Sequence, residues 1–393
     1  MLTSSGCMRI TAIHTRLMRI PFTELLRAAY GARSHASYLL VSIETDQGLI
    51  GYGEHDGLFH ETAEAFIHSE LKPLLIGEDP LQIEFLTHKT EHFLLWNTFA
   101  AYPLAAIDMA LYDIKGKALG VPAYEILGGL YREKMDTTGL IHLHSVDEDV
   151  ASAIRCVERG HKVLKVKVGF DLEKDLERLT AIRQAVGPAI PFRIDPNMAW
   201  SPRTAVRWIR RMEKLNLQWV EQPVPSWDIE GLIEVARAVD TPLSADESCM
   251  TVRDAWRLAE ARAVEVFNVY LTEAGGITRA RDIVAIANAA GIACVIGTWG
   301  EGGVGQAAVL HLVASSRNFE HACDTAYGLV ADDYITEPFC FDENARLRVP
   351  DKSGLGVELS PAKVDRYAQI EGEDRVFAQG PGERFIPRSR MIL

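Results

Sequence analysis

Seven short apolar runs, each carrying polar residues near its end, recur along the chain at almost even intervals. That period limits the fold more than any other feature. The runs are VLKVKV, FRIDPN, WVEQP, LSADES, VFNVYL, CVIGTW and HACDT. Their reference residues Lys167, Asp195, Glu221, Asp246, Tyr270, Thr298 and Asp324 lie 28, 26, 25, 24, 28 and 26 residues apart. Such an interval holds one strand, one helix and two short loops. Adding the TTGLIHL run at Thr137–Leu143 gives about eight units, which predicts an α/β fold built on a (β/α)8 TIM-type barrel. An open doubly wound sheet is the alternative.

Ahead of that period the pattern differs. Apolar and polar positions alternate over Arg9–Met18, Ser37–Glu44 and Leu49–Gly53, with a DQG turn at Asp46–Gly48, which predicts an antiparallel hairpin. Phe22–His35 breaks the alternation and is expected to be an irregular functional loop. Residues 61–130 read as helices, most clearly Ala105–Ala118, apolar at Ile107, Leu111 and Ile114 and ended by Gly120 and Pro122. The expected organisation is a separate α+β unit over 1–135, the barrel over 136–340, and a segment, 341–393, that returns to the first unit.

Composition works by exclusion. The 393 residues carry 41 Lys+Arg against 54 Asp+Glu, a net charge of −13 with no basic run, so nucleic acid is not an expected partner. A chain this long buries a core without staples. Six cysteines (Cys7, Cys156, Cys249, Cys294, Cys323, Cys340) stand far apart without a CxxC pair, which suits a reducing, cytoplasmic setting. The first twenty residues hold no long apolar stretch, so the expectation is a short loose leader before Met8 rather than a signal peptide. Ile283–Gly297 is broken by Asn288 and too short to cross a bilayer, so no membrane role is expected.

In a barrel of this kind the C-terminal ends of the strands converge on one mouth. Those ends present Lys165 and Lys167, Asp195 and Asn197, Glu221, then Asp246 and Glu247. Lone acids are usually solvated loop residues or helix caps, but three successive strands ending in carboxylates repel one another unless a cation lies among them. Oxygen ligands without His or Cys call for a hard ion, Mg2+ first and Mn2+ as the alternative. Lys165 and Lys167 alternate with valines and so share one face of their strand. Near a divalent cation and a second ammonium, a lysine pKa is expected to fall, which makes the group usable as a base.

These motifs resemble the enolase superfamily, and within it the muconate-lactonizing-enzyme subgroup of the mandelate racemase/muconate lactonizing enzyme family. The likeness covers roughly residues 8 to 365, through KVKVG at Lys165–Gly169, RIDPN at Arg193–Asn197, VEQP at Val220–Pro223, ADES at Ala245–Ser248, GGIT at Gly275–Thr278 and the segment Ile107–Gly129. The resemblance implies a modified, enolase-like barrel under an N-terminal capping domain, with Asp195, Glu221 and Asp246 as Mg2+ ligands. It implies Lys167 as catalytic base or acid beside Lys165. Phe22–His35 and Glu54–His60 would be the cap loops that close over substrate, with Tyr30, His35 and His55 as candidate contacts. Asn197, Glu247, Asn268, Thr298, Glu301 and Asp324 are the candidate contacts from the barrel, Asp324 being suited to an ammonium or a hydroxyl.

One position departs from the family. Where N-x-K normally ends the sixth strand, this chain reads FNVYLTEAGG, keeping Asn268 but placing Tyr270 at the lysine. A neutral tyrosine is a poor symmetric partner in two-base racemisation unless its pKa is strongly depressed. It can still donate a proton, bond a leaving hydroxyl, or only fill space. The expectation is therefore one-base chemistry on the proton α to a carboxylate through an enediolate, either cycloisomerisation or syn β-elimination (dehydration). The alternatives are a racemase or epimerase of an amino-acid or hydroxy-acid derivative, and a degraded barrel that binds a carboxylate.

Two further patterns are weaker. GEGGVG at Gly300–Gly305 matches GxGxxG, with Glu320 at about the expected distance. It follows six repeating units rather than opening the fold, so NAD is not expected, nor flavin or PLP. Its backbone N–H groups can instead hold a substrate carboxylate. His142 and His144 share a face of the first strand, with structural or pocket roles expected rather than metal binding. The family's habit of assembling makes a homo-oligomer the expectation from resemblance.

Overall fold

A computed structural model describes residues 7–29, 31–95 and 98–370. The proposed leader up to residue 6, Tyr30 and the chain beyond Ile370 lie outside the described residues. Strands β1 (Ile10–Ala28), β2 (Gly31–Thr45) and β3 (Ile50–His55) form an antiparallel sheet in that order. The DQG turn joins β2 to β3, with the Thr45 amide donating to Leu49 O at 3.0 Å.

Phe22–His35 is not an irregular loop. Pairing slips once, between Pro21↔His35 and Leu26↔Arg33, and then continues to Ala28↔Gly31. The slipped residues are used elsewhere: Phe22 pairs with Val330, and the Ala331 amide donates to Pro21 O at 2.9 Å. Past the slip, the Leu143 amide donates to Arg27 O at 3.1 Å and Arg33 Nη1 to Trp299 O at 2.5 Å. The hairpin is long because its far half is tied to loops of the barrel.

The predicted helix extends from Ala101 to Leu119 and is buried along nearly its whole length. It lies so close to β3 that a Cβ on Gly53 would stand 1.8 Å from Ala106 O, so only glycine fits there. Asp108 of this helix accepts from the Thr278 amide (3.1 Å) and hydroxyl (2.6 Å), capping the barrel helix Ile277–Ala290. Asp113 accepts from the amides of Tyr52 (2.9 Å) and Leu355 (2.8 Å). Both acids of the IDMALYDIK segment therefore join parts of the chain far apart in sequence.

A short strand β4 (Lys134–Asp136) leads into seven parallel strands in sequence order. They are β5 (Gly139–Ile141), β6 (Leu164–Lys167), β7 (Phe192–Asp195), β8 (Leu217–Glu221), β9 (Leu243–Ala245), β10 (Val266–Val269) and β11 (Ala293–Ile296). They form the wall of the barrel. The eighth run is not a full strand but bridges the two edges, the Thr138 amide donating to Cys323 O at 3.0 Å and the Asp324 amide to Ile296 O at 2.8 Å. No barrel helix follows it among the described residues. The chain makes one 3-10 turn at Tyr327–Leu329 and crosses to the cap, so the expected eighth unit is incomplete. Strand β12 (Arg346–Arg348) then pairs with β4, and the helix Pro361–Ala368 packs on β1, with Arg16 Nη2 at 2.9 Å from Asp365. No helix among the described residues is long and apolar enough to cross a membrane.

The glycine-rich turn does hold a carboxylate, but one from the cap itself. Glu54, 1% exposed, accepts from the amides of Gly302 (2.8 Å) and Gly305 (3.1 Å) at the start of the helix Gly303–Ser315, and from the Tyr334 hydroxyl. Burial and the neighbouring charge of Asp56 push its pKa up to about 8, against the pull of these donors. Glu54→Ala leaves these donors without their partner. Each unpaired buried group costs about 1–3 kcal/mol, so a loss of about 3 kcal/mol or more is expected. Urea unfolding measures it, and an unchanged midpoint would remove Glu54 as the link between cap and barrel.

Candidate metal centre and acid–base site

Alternation along the strands decides which side chains enter the barrel. On β6, Lys165 and Lys167 point the same way; on β7, Arg193 and Asp195 do. The pairing Lys167↔Asp195 sets ammonium beside carboxylate, 2.5 Å apart, with Asn197 Oδ1 also accepting from Lys167 at 3.0 Å. Lys165 donates to Glu221 Oε1 (2.6 Å) and Asp324 Oδ2 (2.7 Å) and lies 3.4 Å from Asp195. Asp195, Glu221 and Asp246 each bring a carboxylate oxygen to within 4.8 Å of the others, and all three are buried.

The electrostatics show what the site lacks. Burial raises the Asp195 pKa, but the Lys167 and Lys165 ammoniums outweigh it and bring it down to about 2. Glu221 is pushed up to about 6, by burial first and then, against the pull of Lys165, by Asp195 and Asp324. Asp246 is raised well above the usual range by burial and the charges of Glu247 and Glu221. Two ammoniums thus face five carboxylates, counting Glu247 and Asp324. An all-oxygen donor set with surplus negative charge fits a hard divalent cation. In the metal-free protein burial lowers the Lys165 pKa, but Asp324, Glu221 and Asp195 outweigh burial and hold it well above the ordinary value, so Lys165 carries its charge.

Several expected contacts stand behind the site instead of facing the cavity. Asn197 Nδ2 donates to Glu247 Oε1 at 3.2 Å, and Asn268 Nδ2 to Glu221 Oε1 at 2.9 Å. Glu301 is buried, accepts from the Thr298 hydroxyl at 2.5 Å, and has Asp56 beside it. His55 is fully buried and spends its ring on its own loop, Nε2 on Leu58 O (2.7 Å) and Nδ1 near the Gly57 amide (3.2 Å). It stacks on His60 and shapes the Glu54–His60 segment. His35 sits in the β1–β2 pairing against Pro21, its Nδ1 at 2.8 Å from the Ser34 hydroxyl. Asp324 reaches the cavity and gives Oδ2 to Lys165, its Oδ1 having no hydrogen bond.

Lys165, Lys167, Tyr270, Thr298 and Asp324 line one cavity, with Arg33 of the hairpin among its walls. Tyr270 follows β10 with its ring flat against Gly297, where a Cβ would fall 2.0 Å from the ring. Its hydroxyl has no hydrogen bond among the described residues. Burial and the charges of Asp246 and Glu221 raise its pKa well above the usual value, so it holds its proton.

Two supports were not singled out from sequence. Gln222 Oε1 accepts from the amides of Asp246 (3.0 Å) and Ser248 (3.1 Å) and from the Ser248 hydroxyl (2.7 Å), fixing the turn that carries a ligand. Arg178, buried between Asp149 and Asp175, donates to Lys167 O and His142 O, both at 3.2 Å. Gln222 stands inside VEQP and was visible there; Arg178 carries no motif.

A cation site between two proton-bearing side chains at a barrel mouth defines a class, the metal-assisted acid–base enzymes. The comparisons are narrower. Residues 10–128 match the mandelate racemase / muconate lactonizing enzyme N-terminal domain, and residues 148–363 the enolase C-terminal domain-like family. The chain belongs to the mandelate racemase/muconate lactonizing enzyme family of the enolase superfamily and is an isomerase of that family. It is 35% identical to the L-Ala-D/L-Glu epimerase of Bacillus subtilis, over 89% of this chain and 97% of that protein. It is 32% identical to the chloromuconate cycloisomerase of Delftia acidovorans, over 92% and 100%. The dipeptide epimerase of Enterococcus faecalis, solved with Mg and the dipeptide L-Leu-L-Tyr, is 33% identical with a TM-score of 0.82, over 89% and 99%. The epimerases among these relatives match the alternative of inversion, and the cycloisomerase matches the one-base chemistry expected from Tyr270.

The raised pKa values of Glu221 and Asp246 give a pH signature. Their contribution to metal-free stability is full below the ordinary carboxyl range and is lost as pH rises through about 6 and above. Asp195, lowered to about 2, adds no slope in that window. Thermal unfolding of the metal-free protein should therefore shift to lower temperature between pH 5 and pH 8. Added Mg2+ should reverse the shift, with a larger effect at pH 8, and Asp246→Asn should abolish that response. A Mg2+ effect equal at both pH values would count against the three carboxylates as its ligands.

Proposed function

We propose that the protein is a Mg2+-dependent epimerase or racemase that inverts the carbon α to the carboxylate of a small amino-acid derivative. The observation that carries this reading is the placement of Lys167 and Tyr270 in one cavity, from strands on either side of the three that bear the carboxylates. The epimerases among its relatives support it. When bound, a divalent cation held by Asp195, Glu221 and Asp246 would neutralise the substrate carboxylate and the charge that gathers on it as the proton leaves. Lys165, an ammonium, meets the same carboxylate. Lys167, as the neutral amine, takes the α-proton from one face and becomes the ammonium, oriented by Asp195 and Asn197. Tyr270 delivers a proton to the other face from a hydroxyl without a hydrogen bond among the described residues. Because tyrosinate is costly in this environment, the two directions of inversion differ in kcat.

Six free cysteines are consistent with a cytoplasmic enzyme. A second reading, cycloisomerisation or dehydration from the Lys167 face alone, is favoured by one observation, the tyrosine where the family carries lysine.

Proton NMR in D2O with Mg2+ and a panel of dipeptides and N-acyl amino acids separates the two. Wild-type protein is expected to exchange the α-proton and invert the centre. Lys167→Ala should lower both by about 10²–10⁴-fold. Tyr270→Phe should keep exchange for one stereoisomer and lose inversion. Exchange without inversion in the wild type, accompanied by a lactone or by loss of water, would establish the second reading.

A further inference from the structure

The first barrel strand supplies a group that neither the metal site nor the Lys167–Tyr270 pair explains. His142 follows β5 one step past the pair Ile141↔Val166, which sets it beside Lys167. It lines the same cavity as Lys165, Lys167 and Tyr270. Among the described residues His55, His60, His142 and His311 are the buried histidines. His55 and His311 bond backbone groups through their rings, and His60 leaves only Nε2 unmatched. His142, 8% exposed, leaves both ring nitrogens without a hydrogen bond, the Arg27 carbonyl lying near but outside bonding geometry. Buried polar atoms are nearly always paired, so a donor and an acceptor left over against a cavity mark a ligand contact.

Charge selects the ligand. Burial, helped by Lys167, His144 and Lys165, brings the imidazole down to about 3 and keeps it neutral, with one N–H to offer. Arg27 and Arg33 add further cations to the cavity wall. Asp324, the acid among its described lining residues, gives Oδ2 to Lys165 at 2.7 Å, while Oδ1 has no hydrogen bond and Arg193 at 3.8 Å. An ammonium on the substrate nitrogen would meet the cations Arg27, Arg33, Lys165 and Lys167 and one acid shared with Lys165. A carbonyl oxygen there would meet N–H donors.

We propose that His142 is a specificity residue that donates a hydrogen bond to the acyl oxygen of an N-acylated amino acid and so selects against a free α-amine. This rests on the function proposed above for which carbon reacts, but the binding preference can be read without turnover. Calorimetry on the Mg2+-loaded Lys167→Ala protein should find N-acetyl-L-alanine and N-succinyl-L-alanine bound about tenfold or more tighter than L-alanine. Adding His142→Phe should weaken the acylated ligands about tenfold and leave L-alanine unchanged, while His142→Asn, which keeps a donor, recovers most of the loss. In otherwise wild-type protein, His142→Phe should raise KM for α-deuterium exchange far more than it lowers kcat. Equal affinity for acylated and free-amine ligands, or parent-like binding in both His142 variants, overturns the proposal. Selective binding lost in His142→Phe, with no exchange from any substrate in the wild type, supports the contact and overturns the acid–base function instead.

Discussion

Strand register forces three carboxylates into one buried space, and much of the barrel mouth is arranged around their repulsion. At separations of 4.8 Å or less and an effective dielectric of about 20, the two members of each ionised pair repel by roughly 3 kcal/mol or more. The same alternation that brings Asp195 inward brings in Lys167 on the neighbouring strand, and with it Lys165 one layer below. The lysines are therefore part of the electrostatic solution before they are reagents. Asn268 bonds Glu221, Asn197 links Lys167 to Glu247, and Gln222 holds the turn that bears Asp246. Arg178 grips the backbone of Lys167 from behind.

The cap is bound to this arrangement through polar contacts that are themselves buried. Glu54 seats in the turn at Gly302–Gly305, Asp56 accepts from Thr272, and Arg33 Nη1 donates to Trp299 O at 2.5 Å. These contacts lie at the loops after β10 and β11, which also bear Tyr270 and Thr298. Cap and barrel-mouth loops are consequently held by one network.

Much of this was legible in the chain because strand-end chemistry and period are local properties. Lys167, Asp195, Glu221 and Asp246 stood out by their interval alone, and Tyr270 by the break it makes in N-x-K. Long-range pairing was not legible. Phe22–His35 looks irregular because its alternation slips at Pro21, and only the barrel loops bonded to it reveal a continued hairpin. His55 looked like a contact because a polar residue on a cap loop has no marker for facing inward. The glycine-rich turn did signal an anion, yet its partner stands some 250 residues away in sequence. The eighth unit was over-read for the opposite reason: HACDT has the strand's composition, but it serves as a bridge and no helix follows.

Gly297 carries an implication for how such a site changes over time. The ring of Tyr270 occupies the space a Cβ at that position would need, so the tyrosine requires the glycine. Any succession of single substitutions leading to this pocket must therefore hold glycine at 297 before the aromatic ring arrives, and afterwards position 297 is locked. The order of the two changes is set by sterics.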